Sequence, residues 1–330
     1  MTRLGYQIPN FTYLDAQGGV VGSAGIFDVV AMQAHAADRS GFDTVLLMDH
    51  FYQLPMLGAP EDNMLECYTT LGALARETSK VRLGALVTGN TYRNPTLLAK
   101  IITALDVVSG GRAQLGIGCG WFDVEHAALG FEFGTFTDRF EKLEEALQII
   151  LPMLRGEEPT FSGRYYEVTQ AYNNPTPVSR IPVMIGGSGE KKTLRMVAQY
   201  ADESNLTSPP AELPHKLEVL AAHCEAVGRD RSEITLSQHV NVVLAPTHDQ
   251  AFTEFADALA LRNIDLRNAD DDFKAVIEAM VVLGDPDEVG GRLAEITALG
   301  AQGITMSAPA NGFIPERVDL LGEVATKALG

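Results

Sequence analysis

IPVMIGGSGEKKTLRMVAQYAD, residues 181–202, carries a short apolar run into closely spaced glycines and out into a helical pattern. Ile181 to Ile185 reads as a buried strand. Gly186, Gly187 and Gly189 then remove side chains from the turn, and Leu194, Val197, Ala198 and Ala201 recur at the i, i+3, i+4, i+7 spacing of an amphipathic helix. A glycine-rich turn from strand to helix aims bare N–H groups and a positive dipole end at one spot, which suits an anion. Lys191 and Lys192 fall where the helix should begin, and cations there oppose the dipole unless something negative is held. A tight turn with two solvated lysines accounts for the same residues, and both readings stay open on this stretch alone.

No well-known phosphate or nucleophile motif matches the turn. A P-loop needs a glycine where Lys191 stands, the dinucleotide pattern needs one at Lys192, and a nucleophile elbow needs one at Glu190. The turn can cradle a phosphate without saying which molecule carries it.

The same strand-then-helix unit repeats outward in both directions. RLGYQI (3–8) precedes a helical pattern over about Phe27–Arg39, and DTVLLM (43–48) one over about Leu65–Thr78. VRLGALVT (81–88) precedes one from Pro95 to about Val108, with proline at a favoured first position. RAQLGIG (112–118) leads to a helix near Phe136–Leu154, where Phe140, Leu143, Leu147, Ile150 and Leu154 share a face. After the quoted stretch, 201–206 is the sixth strand, ITLSQHVNVVLA (234–245) the seventh and QGITMS (302–307) the eighth. Strands alternating with helices in this way predict an α/β chain of parallel units closed into a (β/α)8 TIM barrel. Residues 156–180 depart from the repeat as an inserted loop with a small hairpin around FSGRYYEV. Residues 246–300 form an extended helical segment of two or more helices, and a single domain over 1–330 is expected.

Composition narrows the function. The 330 residues are 46% hydrophobic, ample for a large core. Lys and Arg number 25 against 43 Asp and Glu, a net charge of −18 that repels nucleic acid and anionic membrane. An anionic ligand must therefore be held by a local device such as the glycine turn. No apolar stretch approaches a membrane span and MTRLGYQIPN lacks the apolar region of a signal peptide, so a cytoplasmic protein is expected. Cys67, Cys119 and Cys224 are scattered without a CxxC pair, which argues against disulfides and a zinc site.

In a barrel the chemistry sits at the C-terminal ends of the strands. Those ends hold Gln7 to Asn10, Asp49 and His50, Val87 to Asn90, Gly118 to Trp121, Gly186 to Gly189, and Ser204 to Thr207. His50 is the one histidine among them. It can move a proton near neutrality, with Asp49 beside it as a carboxylate to tune or orient it, or it can simply tie down a loop. Cys119 has no sequence-visible base and reads better as a small packing residue than as a nucleophile. Trp121 can stack on an aromatic ligand or pack the rim. No HxH or HExxH pairing occurs, so no metal is expected.

Taken together, MDHF (48–51), LGALVTGNTYRNPTLLAK (83–100), ALDVVSGGRAQLGIGCGW (104–121), LGFEFGTFTDRFEKLEEAL (129–147) and the opening stretch resemble the luciferase-like monooxygenase superfamily. The likeness is greatest to the branch of oxidoreductases that use the deazaflavin coenzyme F420. The blocks follow the family's order through roughly the first two-thirds of the chain, and the last third matches less well. The resemblance implies a barrel of the bacterial luciferase-like type with inserted loops. It implies hydride transfer between F420 and a small organic substrate. An FMN-dependent monooxygenase on the same scaffold, or a non-catalytic cofactor-binding relative, are the alternatives.

Carried over, Gly186, Gly187 and Ser188 hold the cofactor phosphate, while Asp49 and His50 lie beside the ring. Leu86–Val87 is expected to be a non-prolyl cis peptide buttressing the ring, with Thr88 next to it among the cofactor contacts. Gly118 and Cys119 touch the ring edge, His50 serves as proton donor or acceptor, and Asn10 and Trp121 face the substrate. The partner expected is a small-molecule substrate, with a homodimer as the candidate assembly. The family's glucose-6-phosphate dehydrogenases carry a glutamate where this chain has Trp121, and a tryptophan soon after the DHF block where this chain has YQLP (52–55). Both belong to their substrate site, so the resemblance does not extend to that activity.

Overall fold

Each apolar run of the sequence becomes a parallel strand, and the amphipathic segments between them lay their apolar faces on the outside of the ring that the strands form. A computed structural model describes residues 2–15, 17–278 and 280–330. The elements run β1 (Arg3–Ile8), α1 (Ile26–Arg39), β2 (Thr44–Leu47), α2 (Cys67–Glu77), β3 (Arg82–Ala85), β4 (Thr88–Gly89), α3 (Pro95–Ser109), β5 (Leu115–Gly118), α4 (Asp123–Leu129) and α5 (Phe136–Leu154). They continue with β6 (Phe161–Ser162), β7 (Glu167–Val168), β8 (Val183–Gly186), α6 (Thr193–Tyr200), β9 (Glu203–Leu206), α7 (Leu213–Val227) and β10 (Thr235–Leu244). The last elements are α8 (His248–Ala260), α9 (Asp271–Glu278), β11 (Val282–Gly284), α10 (Pro286–Ala298), β12 (Gly303–Ser307) and α11 (Arg317–Leu329).

The main sheet runs β3-β2-β1-β12-β10-β9-β8-β5-β4, and its paired neighbours are parallel. Leu83 of β3 exchanges backbone bonds with the segment leading into β5, donating to the Arg112 carbonyl at 2.8 Å and accepting from the Gln114 N–H at 2.9 Å. This contact closes the ring. β3 and β4 are two halves of one strand position, so the ring has the eight positions expected of a (β/α)8 barrel. The expected third strand, 81–88, is thus interrupted, and the interruption is the cis peptide at Leu86–Val87. A second cis bond lies at Asn174–Pro175.

The insertion carries the small hairpin foreseen there, β6 paired antiparallel with β7. Buried Asp106 of α3 anchors its return by accepting from the Val178 and Ser179 N–H groups at 2.8 and 2.9 Å. Residues 246–300 hold α8, α9 and α10, together with the short strand β11, which pairs with β10. β11 is too short for a period-two pattern to show in sequence. The helix of the opening stretch starts later than expected. α6 begins at Thr193 with Lys192 at its cap position, so neither lysine lies in the first helical turn. Lys192 instead places its ammonium 5.3 Å from the ring centroids of both Phe136 and Phe140.

The main core runs between strands and helices, through side chains such as Leu83, Ile117, Ile185, Leu147 and Val197. Inside the ring the filling is polar. Asn205 donates to Ser237 and Thr305 at 2.9 and 3.1 Å, and Glu203 accepts from Ser237 at 3.0 Å. Among the described residues no helix is long and apolar enough to cross a membrane.

Candidate active site

β2 is buried along its whole length and delivers Asp49 and His50 to the C-terminal mouth of the barrel. Asp49 is 2% exposed and fully engaged. The Arg93 guanidinium grips it with both terminal nitrogens, at 2.6 and 2.9 Å, and the Gly89 N–H donates at 3.1 Å. Burial pushes the Asp49 carboxyl up, and the Arg93 fork pulls it back. The two-pronged geometry is that of an ionised pair. Arg93 also reaches Glu66 at 2.8 Å and lies over the Tyr68 ring. The expectation that Asp49 tunes or orients His50 is therefore corrected: its oxygens are spent on Arg93 and Gly89. Thr88 is buried, its hydroxyl hydrogen-bonded to that of Tyr68 on α2.

The carboxylate that serves His50 is Glu125. Glu125 sits on α4, a helix of seven residues, too short for periodicity to reveal. Fully buried Glu125 accepts from His50 Nδ1 at 2.9 Å, from the Phe51 and Tyr52 N–H groups at 2.6 and 3.0 Å, and from the Tyr92 hydroxyl. Burial by itself would raise this carboxyl, but the donors around it, His50 and Tyr92 foremost, outweigh burial and hold it below its ordinary value. An ionised carboxylate can only accept, so His50 Nδ1 carries the hydrogen and Nε2 is the atom left for chemistry. The His50 side chain keeps 13% of its exposure, with Trp121 and Phe122 edge-on at centroid distances of 5.8 and 5.9 Å. Trp121 is 56% exposed at the rim of the mouth.

On the other side of the mouth the glycines have a packing reason. A side chain on Gly118 or Gly186 would come within 2.9 or 2.8 Å of the Val87 methyls, so the two strands flank the residue after the cis bond. Gly187 has φ +119°, which glycine adopts without strain. Its N–H is spent on the Asn205 carbonyl at 2.9 Å. The Ser188 hydroxyl accepts from the Thr207 and Ser208 N–H groups, both at 3.0 Å, so its oxygen holds the neighbouring loop and only its O–H remains to offer. The N–H groups of Ser188, Gly189 and Glu190 meet no protein acceptor among the described residues. Glu190, the nearby carboxylate, is drawn off by Lys216 at 2.7 Å and His215 at 3.2 Å. What remains is a donor set suited to an anion. Asn10 ties the end of β1 to the Pro309 carbonyl at 3.2 Å, and its amide oxygen meets no donor among the described residues.

Burial pushes the Cys119 thiol up, and the charges of Arg139 and Lys192 only partly offset it. The Cys67 and Cys224 thiols are raised for the same first reason. A thiolate nucleophile is thereby disfavoured. Folded protein should react slowly with a small disulfide reagent near neutral pH, and its three thiols should react together only on unfolding. A cysteine that reacted at free-thiol speed in the native state would contradict this.

The family model for luciferase-like monooxygenases matches residues 11–303. An F420-dependent glucose-6-phosphate dehydrogenase of Microbacterium testaceum is 30% identical over 290 residues, which cover 83% of this chain and 85% of that protein. The solved coenzyme F420-dependent tetrahydromethanopterin reductase of Methanopyrus kandleri matches with a TM-score of 0.76 at 19% identity, over 100% of this chain and 99% of that one. EDTA monooxygenase from a Chelativorans species matches with a TM-score of 0.80 at 16% identity, over 99% and 93%. At these identities the solved structures bear on the fold alone.

Proposed function

This chain belongs to the luciferase-like monooxygenase family, and from that premise we propose that it is an oxidoreductase moving a hydride between coenzyme F420 and a small organic substrate. The observation that carries the reaction class is His50 at the barrel mouth, with Nδ1 held by a buried carboxylate and Nε2 meeting no partner among the described residues. A redox step between an alcohol and a carbonyl needs one proton moved at oxygen for each hydride moved at carbon. His50 is placed to move that proton.

The cofactor rests on the relatives named F420-dependent and on the donor set at the turn after β8. The N–H groups of Ser188, Gly189 and Glu190 fit a phosphate, and Lys191 and Lys192 add positive charge on a chain whose net charge is −18. In this reading the Ser188, Gly189 and Glu190 N–H groups hold the phosphate end, a correction to the expected Gly186, Gly187 and Ser188: Gly186 packs against Val87 and the Gly187 N–H is spent on Asn205, so these two only shape the turn. Leu86, Val87, Gly118 and Cys119 border the ring, and Thr88 supports them from beneath. Asp49 contributes through Arg93 and Gly89, by fixing the loop on which His50 stands. When bound, the deazaflavin supplies a carbon that gives or takes hydride and reacts poorly with oxygen. The protein's share is to bind, orient and handle the proton. Glu125 keeps the His50 proton on Nδ1, while Trp121 and Phe122 offer an apolar wall that keeps water from the reacting atoms. That wall, with Trp121 where the glucose-6-phosphate dehydrogenases carry a glutamate, favours a less polar substrate than a sugar phosphate, with Asn10 at its edge.

An FMN-dependent monooxygenase is the competing reading, kept open by the family model itself, which is that of luciferase-like monooxygenases. Titration of the apo-protein with both cofactors, followed by fluorescence or calorimetry, separates the two. F420 should bind more tightly than FMN, because the lysines can meet phosphate and glutamyl charges that FMN only partly shares. Tight FMN binding with no F420 binding would sink the proposal.

A further inference from the structure

A second imidazole faces the barrel interior, and its protonation is dictated by a chain of one-way hydrogen bonds. The Leu86 carbonyl can only accept, so Gln7 Nε2, at 3.2 Å, donates to it. That turns the Gln7 amide oxygen toward Ser307 Oγ at 2.6 Å and His239 Nε2 at 2.9 Å. An amide oxygen also only accepts, so His239 Nε2 carries a hydrogen. Burial pushes this imidazole down to about 4, so it is neutral near physiological pH and Nδ1 is a bare lone pair. No protein donor meets that nitrogen among the described residues. His239 is half-buried, while the side chains bonded to it on β1 and β12, Gln7 and Ser307, are buried. His239 is only half-buried, so its Nδ1 stays open to a donor from outside the protein, water or a ligand.

We infer that His239 Nδ1 is the acceptor for the imide N–H of the bound cofactor's ring. The inference rests on the functional reading above, which sets the ring against Leu86–Val87, the peptide from which this hydrogen-bond chain begins. A deazaflavin presents one such N–H between two ring carbonyls, and a neutral imidazole nitrogen is its complement. His239 is thus a positioning residue for the cofactor. The proton carrier of the functional reading is His50, whose Nδ1 is held by Glu125.

His239→Gln tests the assignment. The glutamine amide keeps a donor to Gln7 at the place of Nε2 and leaves no acceptor at Nδ1. Affinity for F420 should fall by up to about tenfold, the loss expected for one hydrogen bond. FMN shares the imide, so any FMN affinity should fall by a similar factor. A second readout needs no variant. In ¹⁵N-histidine-labelled parent protein the His239 Nδ1 resonance should stand at the unprotonated, unbonded value and move toward the hydrogen-bonded value on saturation with F420. Unchanged affinity in His239→Gln, or an Nδ1 resonance that does not move, overturns the inference while leaving the functional reading intact. A parent protein that binds neither cofactor overturns both.

Discussion

Replacing His50 with alanine should lower the rate of the chemical step by about 10²- to 10⁴-fold, the usual range for a general acid–base group, and leave cofactor affinity within a few-fold. The expectation follows from the division of labour at the mouth. The proposed phosphate contacts lie on the turn after β8, whereas His50 leaves β2 and is held through Nδ1 by Glu125 on α4. Removing the imidazole takes away the proton carrier and strips Glu125 of one donor, while the Phe51 and Tyr52 N–H groups and the Tyr92 hydroxyl remain. The carboxylate thus stays solvated by the protein, and a large loss of fold is not expected. A purely structural His50 predicts the opposite pattern: lost stability or lost cofactor binding, with turnover per bound site unchanged. Asp49→Asn adds a second discriminator: it should slow the proton-transfer step far less than His50→Ala does, because Asp49 is bound to Arg93 and not to the imidazole. If His50→Ala keeps the parent's turnover with a true substrate, the assignment is wrong.

Arg93→Ala should cost about 3–5 kcal/mol of stability, the range for breaking a buried ion pair from one side. Neither partner is solvent-screened: side-chain exposure is 9% for Arg93 and 2% for Asp49. The loss comes mostly from the stranded carboxylate. Asp49 would keep only the Gly89 N–H, and burial, which already pushes its carboxyl up, would go unopposed. Adding Asp49→Asn to Arg93→Ala should therefore recover part of the loss, since a neutral amide does not need the cation. An exposed pair behaves differently. Arg292 and Glu295 lie 2.6 Å apart at 55% and 66% exposure, so breaking them should shift the urea midpoint little or not at all. Urea unfolding of the three variants beside the parent measures all of this. An Arg93→Ala midpoint equal to the parent's would show that the pair contributes nothing.

What the sequence determined by itself is what local chain physics encodes. A short apolar run can satisfy its backbone only by pairing, and a 3.6-residue apolar stripe can be buried only by lying on a sheet. The order of such segments sufficed for eight strand positions, for the helices at Pro95 and Phe136, and for the hairpin in the 156–180 insertion. Resemblance to a family in register supplied the cis peptide at Leu86–Val87. His50 was legible as a lone histidine at a strand end.

Its partner was not. Asp49 was the neighbour in sequence and the natural candidate, yet consecutive residues at a strand end point to different sides, and closure of the ring sends Asp49 to Arg93. Closure brings Glu125, 75 positions further along the chain, onto His50 Nδ1. Ser188 lost its free lone pairs to the loop after β9 in the same way, and Gln7, His239 and Ser307 come together only because β1, β10 and β12 are neighbours in the closed sheet. Periodicity specifies which face of a segment is buried. Which polar groups then meet depends on how the ring closes, because a carboxylate or imidazole inside a barrel takes its hydrogen-bond partners from strands that only tertiary structure makes adjacent.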